Sequence, residues 1–130
     1  MSWDGTAARA AMAAVLTAAT EDTNVSVFSA PPSTFNAPAL VVQYPQTVTK
    51  YVASMTVDLT SWTVMCAVGL ENQSDQLDDL ASLVTDVIFA SPSLGGVAQS
   101  SKVTELRNWR ILIVSGVELL TCEVALETRM

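Results

Sequence analysis

Histidine is absent from this sequence, and basic residues and cysteines are few. Without histidine the chain cannot form a Ser-His-Asp or Cys-His nucleophile arrangement, and it lacks the commonest metal ligand of proteins. Six Lys and Arg residues stand against 13 Asp and Glu residues, which gives a net charge of −7 at pH 7. Because nucleic acids and anionic membranes attract basic surfaces, this composition argues against binding to either of them.

The two cysteines, Cys66 and Cys122, lie far apart, each inside an apolar strand-like run. Zinc sites usually group their ligands in close pairs, and secreted disulfide frameworks usually contain more cysteines. We therefore expect two buried free thiols. The sequence contains no apolar run of the roughly 18 residues that span a membrane, and its alanine-rich start lacks the charge order of a secretory signal. We expect a soluble protein made and kept in a cytoplasm.

The pattern of apolar residues predicts an α+β fold with two helices packed on one face of a mostly antiparallel sheet. An alanine-rich helix is expected from Gly5 to Thr20, and a second helix from Asn72 to Ala90, with aspartates in its first turns. The segments between and after the helices have strand propensity and end in a hairpin that turns at Ser115-Gly116. Half of the 130 residues are apolar, which suits a single domain over 1–130.

The Val- and Thr-rich region from Gln46 to Leu70 changes the phase of its alternation midway. One regular strand cannot bury apolar residues of both phases against a single core. We therefore expect either a bulge near Thr60-Ser61 or a first half that leaves the domain. The 15 residues from 55 to 69 would extend about 50 Å at ~3.4 Å per residue, whereas the radius of gyration of such a domain is about 14 Å. Residues 46–60 are accordingly predicted to form a projecting hairpin arm.

The stretch "SPSLGGVAQSS", residues 91–101, has the glycines and hydroxyl side chains of a phosphate-binding loop, but the order of helix and strand around it is reversed. Such loops follow a strand and open a helix, whereas Gly95-Gly96 follows a helix and precedes a strand. We interpret these glycines as a turn. The aspartates of the second helix could in principle bind a hard cation, but they fit the solvated face of an amphipathic helix. The sequence thus indicates no catalytic, cofactor-binding or metal-binding residues.

The cluster Arg107-Asn108-Trp109-Arg110 is the remaining candidate site. Trp and Arg are enriched among residues that dominate binding energy at protein interfaces, so we favour a subunit contact. Charged residues that protect the edge of a sheet would give the same pattern.

From end to end, the layout resembles the tail-terminator family of long-tailed bacteriophages, whose members are small neck proteins. The resemblance covers nearly the whole chain: an alanine-rich first helix, a proline-bearing loop before "PALVVQYP", the strand "MTVDLTSWTVMCAVG", the helix "DQLDDLASLVTDVI", then "SPSLGG" and the final "VELLTCEVALE". The resemblance lies in the order and spacing of these elements, and no single motif is specific to the family. The family supplies no catalytic residues.

The resemblance implies a structural virion protein, assembled in the host cytoplasm, that forms a homohexameric ring on the tail tube. Such a ring ends tube polymerisation and joins the tube to the head-side connector, while genomic DNA passes through the lumen without specific binding. The residues expected at subunit or ring contacts are Pro31, Pro32, Phe35, Pro38, Tyr51, Met55, Val57, Leu59, Arg107, Trp109 and Arg110. Three alternatives remain open: a connector or tail-completion protein, a tail-tube subunit, and a monomeric module that binds a small ligand.

Overall fold

A computed structural model describes residues 5–49, 58–70, 73–114 and 116–129 of the chain. These residues form two α-helices and one six-stranded sheet. The helices are α1 (Gly5–Thr20) and α2 (Gln73–Ala90), and the strands are β1 (Ser26–Phe28), β2 (Ala39–Val42), β3 (Thr47–Thr49), β4 (Leu59–Gly69), β5 (Ser100–Val114) and β6 (Val117–Arg129). The predicted α+β class is confirmed.

The strand order of the sheet is β1-β2-β4-β6-β5, and β3 pairs with the start of β4 on the same side as β2. The pair β1–β2 is parallel, and the other pairs are antiparallel. Strand β5 therefore lies at one edge of the sheet, beside β6 alone among the described strands.

Both helices pack on one face of the sheet, as the sequence predicts. Residues spaced by about one helical turn form the buried stripe of each helix, because 3.6 residues per turn place them on one side. In α1 the stripe is Ala8, Met12, Leu16 and Thr20; in α2 it is Leu77, Leu80, Ala81, Val84 and Ile88. These side chains meet inward-facing residues of β2, β4 and β6 in one apolar core.

Strand β4 is buried on the face under the helices and partly buried on the other face. It pairs with β6 from Leu59 to Gly69 without a shift in register, so the expected bulge near Thr60-Ser61 is absent. Trp62 contributes to the core under the helices. Thr63 and Ala67, which lie on the opposite face of β4, are also almost inaccessible to solvent. Of the two predicted sets, Trp62, Val64, Cys66 and Val68 lie in the core and Leu59 is half-buried, while Met55 and Val57 lie outside the described residues.

The face without helices is partly buried because the sheet curls toward it. Ser26 and Phe28 of the β1 edge line one cavity together with Val114 and Val117 of the other edge. Farther along the sheet, Arg107 in β5 donates a hydrogen bond of 3.1 Å to Gln46, which precedes β3. Side chains from opposite edges meet in this way only if the sheet bends strongly, and the bend shields the middle strands from solvent.

The predicted arm over 46–60 is not seen as a projection in the part that the structure describes. Thr47, Val48 and Thr49 pair with Ser61, Thr60 and Leu59 inside the main sheet. Residues 50–57, and with them the expected contacts Tyr51, Met55 and Val57, lie outside the described residues.

The turn after α2 confirms the interpretation of the glycine pair. Gly95 and Gly96 have positive φ angles of 72° and 99°, which residues with side chains rarely adopt. The N–H of Gly96 donates to the carbonyl of Ser93 at 3.0 Å, and Leu94 anchors the turn in the core. These glycines redirect the chain from α2 into β5.

Candidate functional site

The long hairpin of β5 and β6 carries an exposed apolar strip. The strands have 15 and 13 residues and turn at Gly116, whose φ of 80° suits a tight turn. Five apolar side chains of the hairpin are between 39% and 69% exposed, namely Leu106, Trp109, Ile111, Ile113 and Val117. We call these five residues the hairpin strip. Four of the five lie close together along β5, and such a group differs from the single exposed apolar residues that are normal on a protein surface.

The register of the hairpin explains why the strip is uncovered. Leu106 pairs with Val124, and Ile111 pairs with Leu120, so both lie on the face that carries the helices. Helix α2 meets β5 near its start, where Thr85, Ile88 and Phe89 share a cavity with residues 101–103. Because β5 is at the edge, its later residues extend beyond the cover that the helices provide.

Ion pairs with neighbouring carboxylates hold the guanidiniums of Arg107 and Arg110 along this edge of the sheet. Arg107 contacts Glu105 at 2.8 Å and Glu123 at 3.4 Å, and Arg110 lies 3.7 Å from the second oxygen of Glu123. Hydrogen bonds from Arg107 to Glu105 and Glu123 raise the pKa of the guanidinium above its ordinary value. The two carboxylates therefore favour the charged form of Arg107.

Asn108 shapes the edge between the two arginines. It adopts a positive φ of 60°, and its amide donates to Glu123 at 2.9 Å. The pairing of β5 with β6 shifts between Arg107 and Arg110, which is the mark of a β-bulge. A bulge at an edge interferes with regular pairing to a further strand. The strip is thus better suited to contacts through side chains than to extension of the sheet.

The structure brings some of the predicted contact residues together and separates others. Arg107 and Arg110 meet at Glu123, Trp109 is exposed between them in the sequence of β5, and Leu59 is half-buried within the sheet of its own chain.

The predicted loop residues lie between β1 and β2. Pro31 is exposed, and Pro32 and Phe35 are half-buried. Phe35 packs beside Phe28 with ring centroids 6.0 Å apart and shares the cavity at the hairpin tip. Pro38 is buried in its own chain, where its carbonyl accepts a hydrogen bond from Ser26, so it offers no surface to a partner.

Sequence reasoning missed a second surface, a shallow groove beside α2. It is lined by Ala19 of α1 and by Asp79, Ser82, Leu83, Asp86, Val87 and Ala90 of α2. We call it the helix groove. The groove has an apolar floor and two exposed carboxylates, and none of the described residues that line it is basic. The spacing of Asp79, Leu83, Asp86 and Val87 on one helical face was the signal available in the sequence.

Charge is divided unevenly between these surfaces. Residues 100–129 contain four basic and four acidic residues, so the hairpin is neutral, and the net charge of −7 falls on the remainder of the chain. Helix α2 alone has four aspartates and no basic residue. A neutral, cation-bearing hairpin and an acidic helix are therefore presented by the same molecule.

The cysteines form a buried pair. Cys66 and Cys122 face each other across β4 and β6, and both thiols are free, as the sequence predicts. A hydrogen bond with Cys122, and burial, raise the pKa of the Cys66 thiol well above its ordinary value. A fully buried neutral thiol is a poor nucleophile. Among the described residues, no three His, Cys, Asp or Glu side chains are grouped so that they could hold a metal ion.

Comparison with known proteins adds no assignment. No protein-family model matches the chain, and a search of curated proteins finds no match. No helix within the described ranges is long and apolar enough to cross a membrane.

Proposed function

We propose that this chain is a structural subunit of a phage virion and that copies of it form a closed ring on the end of the tail tube. The ring ends polymerisation of the tube and joins it to the head-side connector. The proposal combines the resemblance in the order of elements with one structural observation, the exposed hairpin strip that includes Trp109.

The hairpin strip supports an assembly role because its exposure is costly for an isolated molecule. Exposed apolar patches with polar rims are typical of surfaces that bind other proteins, and Trp and Arg often dominate their binding energy. Trp109 lies between Arg107 and Arg110, and Ile111 and Ile113 continue the apolar surface toward the turn. A ring subunit uses such a surface on every copy.

The charge of the chain supports the same role. A ring through which DNA passes must admit the duplex without holding it, and a net charge of −7 disfavours attachment to phosphates. The partners of the ring are accordingly the tail-tube protein on one side, the connector on the other, and DNA only as a passing polymer. No cofactor is needed for this function.

Assembly is tested by measuring the mass of the purified protein by light scattering and imaging it by negative-stain electron microscopy. We expect a discrete oligomer with a central opening. Ile111→Glu with Ile113→Glu should reduce it to monomers, because both side chains are exposed and the change leaves the core intact. Val97→Glu, which alters an exposed apolar residue outside the hairpin, is the matched control and should keep the oligomer. A wild-type protein that stays monomeric at high concentration contradicts the proposal.

Position in the particle is tested by adding the protein to polymerising tail-tube protein encoded in the same genome. A terminator ring should give tubes that stop growing and carry the ring at one end. If the chain instead polymerises into tubes by itself, it is a tube subunit. If it binds the connector and leaves tube growth unchanged, it is a connector or completion protein.

A further inference from the structure

We propose that neighbouring copies contact each other head to tail, with the hairpin strip of one copy seated in the helix groove of the next. This inference rests on the proposed ring and names the two surfaces that build it. The occupant of the groove is a second copy of this chain.

The first argument is the match of chemistry between the two surfaces. The hairpin presents the exposed indole of Trp109, and the next residue in the sequence is Arg110, whose side chain is about half exposed. The groove presents Leu83 and Val87 between the carboxylates of Asp79 and Asp86. An exposed aromatic ring with a half-exposed cation nearby fits an apolar floor flanked by anions, and such complementary charges favour the correct partner and the correct register.

The second argument concerns the charges left over within one chain. Arg107 contacts two carboxylates, Glu105 at 2.8 Å and Glu123 at 3.4 Å, whereas the guanidinium of Arg110 lies 3.7 Å from Glu123. Asp79 and Asp86 lie on a helix that has no basic residue. Contact between copies lets Arg110 reach a second carboxylate and gives the aspartates of α2 a cation. A contact between two α2 helices would instead oppose like charges.

The third argument is that a single copy cannot make this contact with itself. Helix α1 packs on β1 and β2, whereas α2 packs on β4, β6 and β5. The helix groove opens on the side of α2 that faces Ala19 of α1, and β5 lies on the other side of α2. The helix therefore stands between the groove and the hairpin strip of its own chain.

Two different surfaces that bind each other make a heterologous contact, and such contacts build rings when the rotation between copies closes. Each copy in a ring then uses its strip once and its groove once. This arrangement predicts that damage to either surface stops assembly, and that two differently damaged copies can still join through the one intact contact.

The test uses two variants of the full chain. The strip variant is Trp109→Glu, and the groove variant combines Asp79→Lys with Asp86→Lys. All three positions are exposed, so both variants should keep the melting curve and circular dichroism of a folded protein. Each variant alone should be monomeric, with contact weakened on the order of 30-fold or more, as for the loss of an interface residue that dominates binding. Mixed in equal amounts, they should form a dimer of the two variants and nothing larger.

The matched control combines Asp75→Lys with Asp78→Lys. It makes the same change of charge on exposed residues of the same helix, but these residues do not line the groove. This control should keep the wild-type oligomer.

Each other result overturns the inference in a distinguishable way. If the wild type forms a ring and both variants keep it, the docking surfaces are wrong while the ring stands. If each variant alone is monomeric and their mixture stays monomeric too, the contact does not join strip to groove. If the wild type is a monomer, the proposed function and this inference fail together.

Discussion

Thr128 is the centre of a buried polar connection between three strands, and its replacement is a stringent test of the packing described above. The indole N–H of Trp62 in β4 donates to the hydroxyl of Thr128 in β6 at 2.8 Å. The same hydroxyl lies 3.1 Å from the hydroxyl of Ser101 in β5. All three residues are buried, so the two hydrogen bonds replace contacts with water that these groups have in the unfolded chain.

Thr128→Val keeps the shape of the side chain and removes its hydroxyl. The Trp62 indole then loses this acceptor in the core, and a buried donor that loses its acceptor costs about 1–3 kcal/mol. Ser101 can rotate its hydroxyl, so we expect the total loss to be about 2 kcal/mol. For a domain of this size each kcal/mol corresponds to about 4 °C in Tm, which gives a fall of about 8 °C. Urea denaturation provides the free energy of unfolding, and calorimetry provides Tm.

Thr128→Ser is the control, because it keeps the hydroxyl and removes one buried methyl group at a cost of about 1 kcal/mol. The expected order of stability is wild type, then Thr128→Ser, then Thr128→Val. In nitrogen-proton spectra, the indole signal of Trp62 should move in the valine variant and stay near its wild-type position in the serine variant. A valine variant as stable as the serine variant would refute the reasoning.

Two further predictions concern the hairpin and the cysteine pair. Asn108→Val should lower the free energy of unfolding by about 1–2 kcal/mol, because a branched side chain resists the positive φ angle at position 108. Asn108→Gly should lower it by less. Urea denaturation of both variants tests this order. The hydrogen bond with Cys122 and burial raise the pKa of the Cys66 thiol in the folded state. The neutral thiol therefore stabilises the fold fully at pH values below the ordinary thiol pKa. This stabilisation is lost as the pH rises through the pKa of the folded state. Stability should therefore decline at alkaline pH in the wild type and less in Cys66→Ala, measured relative to each protein at pH 7; parallel declines would contradict this account.

Much of the fold could be predicted from local sequence. Helix α1 follows from alanine propensity and from the stripe of Ala8, Met12 and Leu16, and its bounds of Gly5–Thr20 are those of the prediction. The glycine pair after α2 was identified as a turn because its order relative to helix and strand excludes a phosphate loop. Local periodicity decides these features, so a single sequence contains them.

The candidate site was only partly visible in the sequence. The cluster Arg107–Arg110 could be recognised because its residue types are typical of interfaces, and the structure places it on an exposed edge. Ile111 and Ile113 belong to an apolar run that reads equally well as a buried strand. Their exposure depends on the position of β5 at the edge of the sheet, and strand order is a property of pairing between distant segments.

The sequence by itself determined the helices, the turns, the acidity and the absence of histidine chemistry, because each of these depends on residue type or on spacing within one segment. The tertiary structure alone decided that β4 is also partly covered on the face without helices, that β5 is left at the edge, and that α2 separates the hairpin strip from the helix groove. The physical reason is that the bend of the sheet and the order of its strands depend on contacts between residues far apart in the chain. Such contacts leave no periodic signal in any one segment of the sequence.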